Sequence, residues 1–271
     1  MQSEHSLNKE YLNNEAFKQI EELAEFYDNL SFSTLYWVPM GTKAILNIDT
    51  YVFSSIKGTL ESINDLLRKG RLNDSYALLR KYYDAVIINL YTNLYLEEEF
   101  DVINNFIVDS IQNWITGKEE IPSFRKMSEY IEKCTRVQNI TKLLYGNNSF
   151  KGSIYEGIRK RCNSNVHYLH YSNVLLNDNQ IYLKNREQEL NKFKYDLLQI
   201  SILHFSYLFY FKDHYMMSSD YHDSMDLGLK PEKDSEYMVA PFIQIFFEAI
   251  IMKHRPDIGN EIKTNTEMRL V

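Results

Sequence analysis

Turn-forming residues are scarce. The 271-residue chain holds 9 glycines and 5 prolines, too few to reverse a β-rich chain of this length as often as it would need. Long helices joined by few connections are expected instead. There are two cysteines, Cys134 and Cys162. They make neither a disulfide framework nor a CxxC pair for zinc, so a reducing, cytoplasmic compartment is expected. The opening "MQSEHSLNKEYLNNEAF" lacks the basic-then-apolar pattern of a signal peptide. No window of about 18 unbroken apolar residues occurs, so no membrane span is expected. The closest stretch, residues 197–211, is interrupted by Gln199, Ser201, His204 and Ser206 and reads as a buried helix. Basic excess is also missing. A net charge of −7 argues against broad, sequence-blind nucleic-acid binding but leaves room for a small local basic site.

What is present is ordinary core material. Hydrophobic residues make up 44% of the chain, enough for a core without staples. The many tyrosines and phenylalanines suit core edges, with rings inside and hydroxyls at the boundary. Residues 8–30 place Leu12, Phe17, Ile20, Leu23 and Phe26 at helical spacing. Pro39 and Gly41 then break the pattern. The next helix is expected from Thr42 to Lys69, with Ile45, Ile48, Val52, Ile56 and Ile63 on its inner face. Gly70 fits the position just past a helix end, and Asn73 or Asp74 the cap of the following one. Those two helices should form an antiparallel hairpin. In the second, Tyr76, Leu79, Tyr83, Val86, Leu90 and Leu94 step by three and four, the seam of a packed bundle. Further helices are expected to about Ile115, over 123–144, over 150–162, over 184–217 and from Pro241. Residues 227–235 read as a loop. The fold class is all-α: one multi-helix domain over 1–255 with an N-terminal helical extension (1–40) and extra C-terminal helices, then a polar tail, 256–271.

The segment "RKRCNSNVHYLHYSN", residues 159–173, concentrates chemistry. Histidine moves protons near neutral pH, and arginine grips phosphate with a planar fork that stays charged. An arginine beside a histidine is the smallest set of groups that cleaves RNA without a metal. The histidine exchanges a proton with the 2′-hydroxyl or the leaving 5′-oxygen, and the arginine holds the charge that builds at phosphorus. Arg161 and His167 are the catalytic candidates, Asn163 a positioning candidate, and Arg159 and Lys160 candidate substrate contacts. Six residues advance about 600° around a regular helix, so Arg161 and His167 fall about 120° apart. Either the helix breaks within "CNSNV", where Asn and Ser favour caps, or two chains build the site. A two-fold dimer would supply both a general base and a general acid.

Arginine, five residues, then histidine, in an all-α chain, resembles the motif of the HEPN superfamily. Residues 55–91, "SIKGTLESINDLLRKGRLNDSYALLRKYYDAVIINLY", resemble the first helical hairpin of HEPN-like proteins from bacterial abortive-infection and toxin–antitoxin systems. The resemblance covers roughly 45–215. It implies a homodimeric, metal-independent endoribonuclease without a cofactor. Arg161 and His167 of both chains would line a shared cleft and Asn163 would assist. It also implies an RNA substrate, a role in growth arrest or anti-phage defence, and an antitoxin or sensor protein as a further partner. A catalytically silent helical module that binds RNA, nucleotide or a protein partner is the alternative, and a structural scaffold a third.

Other groups have plainer readings beside sharper ones. His170 completes an H-x-x-H pair with His167, but further ligands are missing nearby, so no metal is expected. Residues 220–226, "DYHDSMD", read as a solvated loop. Arg80 and Asp84, four apart, form a surface pair or orient Arg161 or His167. Residues 96–101 read as an exposed acidic helix end. Cys162, next to Arg161, is a candidate for a lowered thiol pKa.

Overall fold

The structure is a computed structural model that describes residues 9–146, 149–178, 186–229, 238–266, 268 and 270. Among these the fold is all-α. They contain no strand, only isolated bridges between Asp101 and Asn105 and between Met217 and Val239.

The N-terminal pattern splits into α1 (Lys9–Leu12) and α2 (Glu15–Ser33), because the Asn14 side chain caps α2 by accepting from the Ala16 N–H. The next helix, α3 (Ile48–Arg68), starts later than its apolar spacing suggested. Asn47 is its cap, the chain before it is irregular, and Ile45 lies 93% exposed rather than on the inner face. The hairpin behaves as expected. Gly70 adopts φ +71, a left-handed conformation that glycine tolerates. The N–H groups of Gly70 and Arg71 close the end of α3 on the carbonyls of Leu67 and Leu66. Helix α4 (Leu72–Glu99) returns along α3. All six predicted seam residues of α4 are buried. Asn73 is not its cap: it lies inside the first turn and bonds elsewhere.

After α5 (Asp109–Ile115), the helix expected over 123–144 is two, α6 (Phe124–Lys133) and α7 (Gln138–Tyr145), separated by a 3₁₀ turn at Thr135–Val137. Helix α8 (Ile154–Val166) outlasts its expected end, and the short α9 (Tyr171–Leu175) follows. Helix α10 (Arg186–Phe211) carries the longest apolar run through the centre. Ile200, Ile202, Leu203, Phe205, Tyr207, Leu208 and Phe209 have no exposed surface, so that run is buried all round, as expected, while the first half of α10 exposes Lys192 and Tyr195. No helix among the described residues is long and apolar enough to cross a membrane.

The C-terminal region departs most from expectation. Residues 219–226 form a helix, α11 (Ser219–Asp226), capped by Ser218, rather than a loop. The loop expected over 227–235 lies outside the described residues from 230 on. Helix α12 (Pro241–Phe246) runs into a π-helical segment, Phe247–Met252. The polar tail begins with a helix, α13 (Pro256–Asn265), that buries Ile258 and Ile262 fully. Gly259 lies where α13 meets the π segment: a Cβ there would overlap Met252 Sδ, so the Met252 side chain would have to shift.

A string of hydrogen bonds threads the apolar centre. Tyr82 and Tyr27 hydroxyls lie 3.0 Å apart, and the Tyr27 hydroxyl is 2.6 Å from His204 Nδ1. His204 Nε2 is 2.8 Å from Asn89 Oδ1, and Asn89 Nδ2 donates to Asp49 at 2.6 Å. Because Asn89 gives its N–H to a carboxylate, its oxygen must accept, so His204 carries its proton on Nε2 and accepts from Tyr27 on Nδ1. Asn93 and Tyr215 also donate to Asp49, at 2.7 and 2.8 Å. The string therefore points donors at one buried carboxylate. Burial pushes the His204 pKa down to about 3, so the ring is neutral. Burial raises that of Asp49, against the nearby Lys212 charge.

Candidate functional site

Helix α8 carries most of the candidate residues. The Ser153 side chain caps it by accepting from the Glu156 N–H, and its last residue is Val166. The helix therefore does not break within "CNSNV". Buried asparagines explain why that polar run stays helical. Asn165 gives its amide N–H to the Arg161 carbonyl at 3.0 Å. It accepts from Asn73 of α4 at 3.0 Å and from Asn173 of α9 at 3.0 Å. Asn73 also reaches the Asn165 carbonyl. Three side chains from three helices clamp the segment. The candidate set omitted Asn165, whose role depends on Asn73, 92 positions away.

The candidates divide over different sides of α8. Arg161 faces α10: Nε donates to Asp196 Oδ2 at 2.8 Å and Nη2 to Oδ1 at 2.5 Å. Asp196 is 1% exposed, and burial raises its pKa while the guanidinium opposes that. Beyond the two-point pair, Nη1 of Arg161 has no partner among the described residues, and the side chain is 44% exposed. Arg161 is thus a structural ion pair first, with one donor edge left for solvent or ligand.

Arg159, Lys160 and Asn163 are brought together, along a cleft of about 790 Å³ between α6 and α8. Arg159 lies over the Phe124 ring at 3.4 Å and bonds Asp84 at 2.5 Å. Lys160 pairs with Glu156 at 3.0 Å. Asn163 Oδ1 and Ser128 Oγ are buried there without a partner among the described residues. Asp84 also meets Arg80, at 3.8 Å. The Arg80–Asp84 pair therefore supports Arg159, and its contacts reach neither Arg161 nor His167.

His167 ends α8. Its N–H closes on the Asn163 carbonyl at 3.0 Å, and its exposed ring has no partner among the described residues. Tyr168 follows with φ +47, the one non-glycine residue with positive φ among those described. The N–H groups of Tyr168 and Leu169 return to the carbonyls of Asn165 and Ser164, a helix stop that ordinarily places glycine where Tyr168 stands. His170 is not on the same helix as His167. It caps α9, with its N–H on Asn173 Oδ1. No cluster of metal-ligating side chains is found among the described residues.

Beside this end of α8 lies an apolar groove of about 860 Å³, whose walls include Leu46, Tyr51, Ile88, Ile115 and Val166. Tyr168, Leu169 and Tyr171 are exposed next to His167 in the chain. Cys162 is no activated thiol. It is 1% exposed, and burial pushes its pKa up to about 12. No family model, no curated protein and no solved structure matches this chain.

Proposed function

We propose that this chain is a metal-independent endoribonuclease of the HEPN type that acts as a homodimer. The carrying observation is His167: an exposed ring with no partner among the described residues, at a strained helix end, close in sequence to Val166 of a large apolar groove. A second copy seated on that groove would bring two such rings to one interface. One His167 takes the 2′-hydroxyl proton while the new 2′-oxygen–phosphorus bond forms. The other gives a proton to the 5′-oxygen as the old phosphorus–oxygen bond breaks, leaving a 2′,3′-cyclic phosphate. The free edge of Arg161, held still by Asp196, supplies the cation for the charge at phosphorus. Asn163 positions His167 through the backbone bond that ends α8. Arg159 and Lys160 border an adjoining cleft as contacts for the RNA chain. The biological setting implied is growth arrest or anti-phage defence, with an antitoxin or sensor as a further partner.

Total RNA treated with the wild-type chain should show new ends bearing 2′,3′-cyclic phosphate, in the presence of EDTA. His167→Ala should abolish the cuts without changing the melting temperature. Cutting that survives His167→Ala, or wild-type protein that leaves RNA intact as a verified dimer, would sink the proposal. The second result would favour a binding module, a reading supported by the commitment of Arg161 to Asp196.

A further inference from the structure

A cavity of about 350 Å³ lies at the opposite end of the buried hydrogen-bond string from Tyr82. It sits at the small end of the range typical of small-molecule sites. Its lining is built from several elements, with Asp49 of α3 and Asn93 of α4 at the buried end.

One polar atom of the lining has no protein donor among the described residues. Asn93 is 5% exposed, and its Nδ2 donates to both Asp49 and the Asn89 carbonyl. Both partners are acceptors, so the amide orientation is settled and Oδ1 is the atom left over. No partner for that oxygen exists among the described residues. A carbonyl oxygen in the cavity lining that no described side chain or backbone N–H engages, beside a carboxylate, attracts a donor, and most strongly a cationic one.

Cations stand in the same lining. Glu97, one helical turn after Asn93, bridges two of them: Lys212 Nζ at 2.6 Å from Oε1 and Arg136 Nη1 at 2.7 Å from Oε2. One carboxylate cannot use all the N–H groups of an ammonium and a guanidinium, so both keep donors in reserve. Arg136 is 55% exposed and marks the outer side. Two carboxylates and two cations balance, which disfavours a ligand of net charge. Both signs in one lining favour a ligand that carries both signs at once. Trp37, Met40, Leu96 and Phe100 add apolar surface.

We infer that this cavity binds a zwitterionic α-amino acid with an apolar side chain. Its ammonium would donate to Asn93 Oδ1 within the field of Asp49. Its carboxylate would meet Lys212 and Arg136, and its side chain the surface formed by Met40, Leu96 and Phe100. The site shares no residue with the α8 candidates, so it stands or falls independently of the nuclease reading.

Calorimetric titration of the full chain with L-leucine, L-methionine, L-phenylalanine and L-tryptophan tests the inference. At least one should bind saturably. Its N-acetyl and its amide forms, each lacking one of the two charges, should bind at least tenfold more weakly. Lys212→Met should weaken binding by a similar factor. Because Lys212 is buried, Met40→Trp provides a second variant at a 61% exposed position of the lining, outside the core, and should obstruct the ligand. Absence of saturable heat with all four amino acids overturns the inference, as does equal binding of the blocked forms or undiminished binding to Met40→Trp.

Discussion

Arg161 of α8 grips both carboxylate oxygens of Asp196 on α10, joining the candidate segment to the central helix. Removing only the arginine would strand an almost fully buried carboxylate. Breaking a buried pair costs about 3–5 kcal/mol. Arg161 is 44% exposed, so water screens part of that cost, and roughly 2–3 kcal/mol is expected for Arg161→Ala. The double variant Arg161→Met, Asp196→Leu should recover more than half of the loss, because no unpaired charge remains. Urea denaturation of the single and double variants measures both effects. The double variant also separates two roles. If Arg161 acts on RNA, the refolded double variant stays inactive; if it only holds α8 against α10, activity returns with stability.

How much of this was legible beforehand follows from how local each signal is. The α3–α4 hairpin was readable because Gly70 and the seam of α4 lie within one continuous stretch. The burial of α10 was readable from its apolar run, and Ser201 and Ser206, which interrupt it, bond back to the Leu197 and Ile202 carbonyls. The α8 end was misread because Asn and Ser usually favour caps. Asn165 is held by Asn73, 92 residues away, and no local rule contains that. The partner of Arg161 is 35 residues off. The sequence pattern does not reveal α13 because its two core contacts, Ile258 and Ile262, sit among polar neighbours. Chain proximity placed Arg159, Lys160, Arg161 and Asn163 in one group, and helix geometry divides them between α6 and α10.

The buried histidine sets an acid limit on stability. His204 has a folded pKa of about 3 against an ordinary value of 6.5. The unfolded chain therefore takes up a proton that the folded chain refuses. The stabilisation is complete above pH 6.5 and is lost as pH falls toward about 3, at about 1.4 kcal/mol per unit. His214, pushed down to about 4 by burial, acts in the same direction. Asp49 acts oppositely, since its raised pKa favours the folded state at low pH. Comparison with His204→Gln isolates the histidine, because glutamine keeps a donor and an acceptor but does not titrate. Wild type should be the more stable at pH 7.5, and its advantage should shrink by about 2–3 kcal/mol by pH 4.5. An advantage that stays constant across this range would mean that residue 204 does not titrate as described.

Tyr168 offers a test of whether strain at the end of α8 serves the proposed chemistry. A residue with a Cβ in the left-handed region costs about 1–2 kcal/mol, and glycine relieves most of that at some expense in chain entropy. Tyr168→Gly should therefore raise stability by about 0.5–1 kcal/mol. Tyr168→Ala keeps the Cβ and removes the half-exposed ring, so it should show no such gain. Strained residues that persist next to an unpaired histidine are expected where geometry is held for function. If that holds here, Tyr168→Gly gains stability and loses RNA cleavage, because His167 is no longer held at a fixed angle to the end of α8. Melting curves and cleavage rates for the two variants decide the matter. A glycine variant that is both more stable and equally active would show that the strain at Tyr168 has no part in positioning His167.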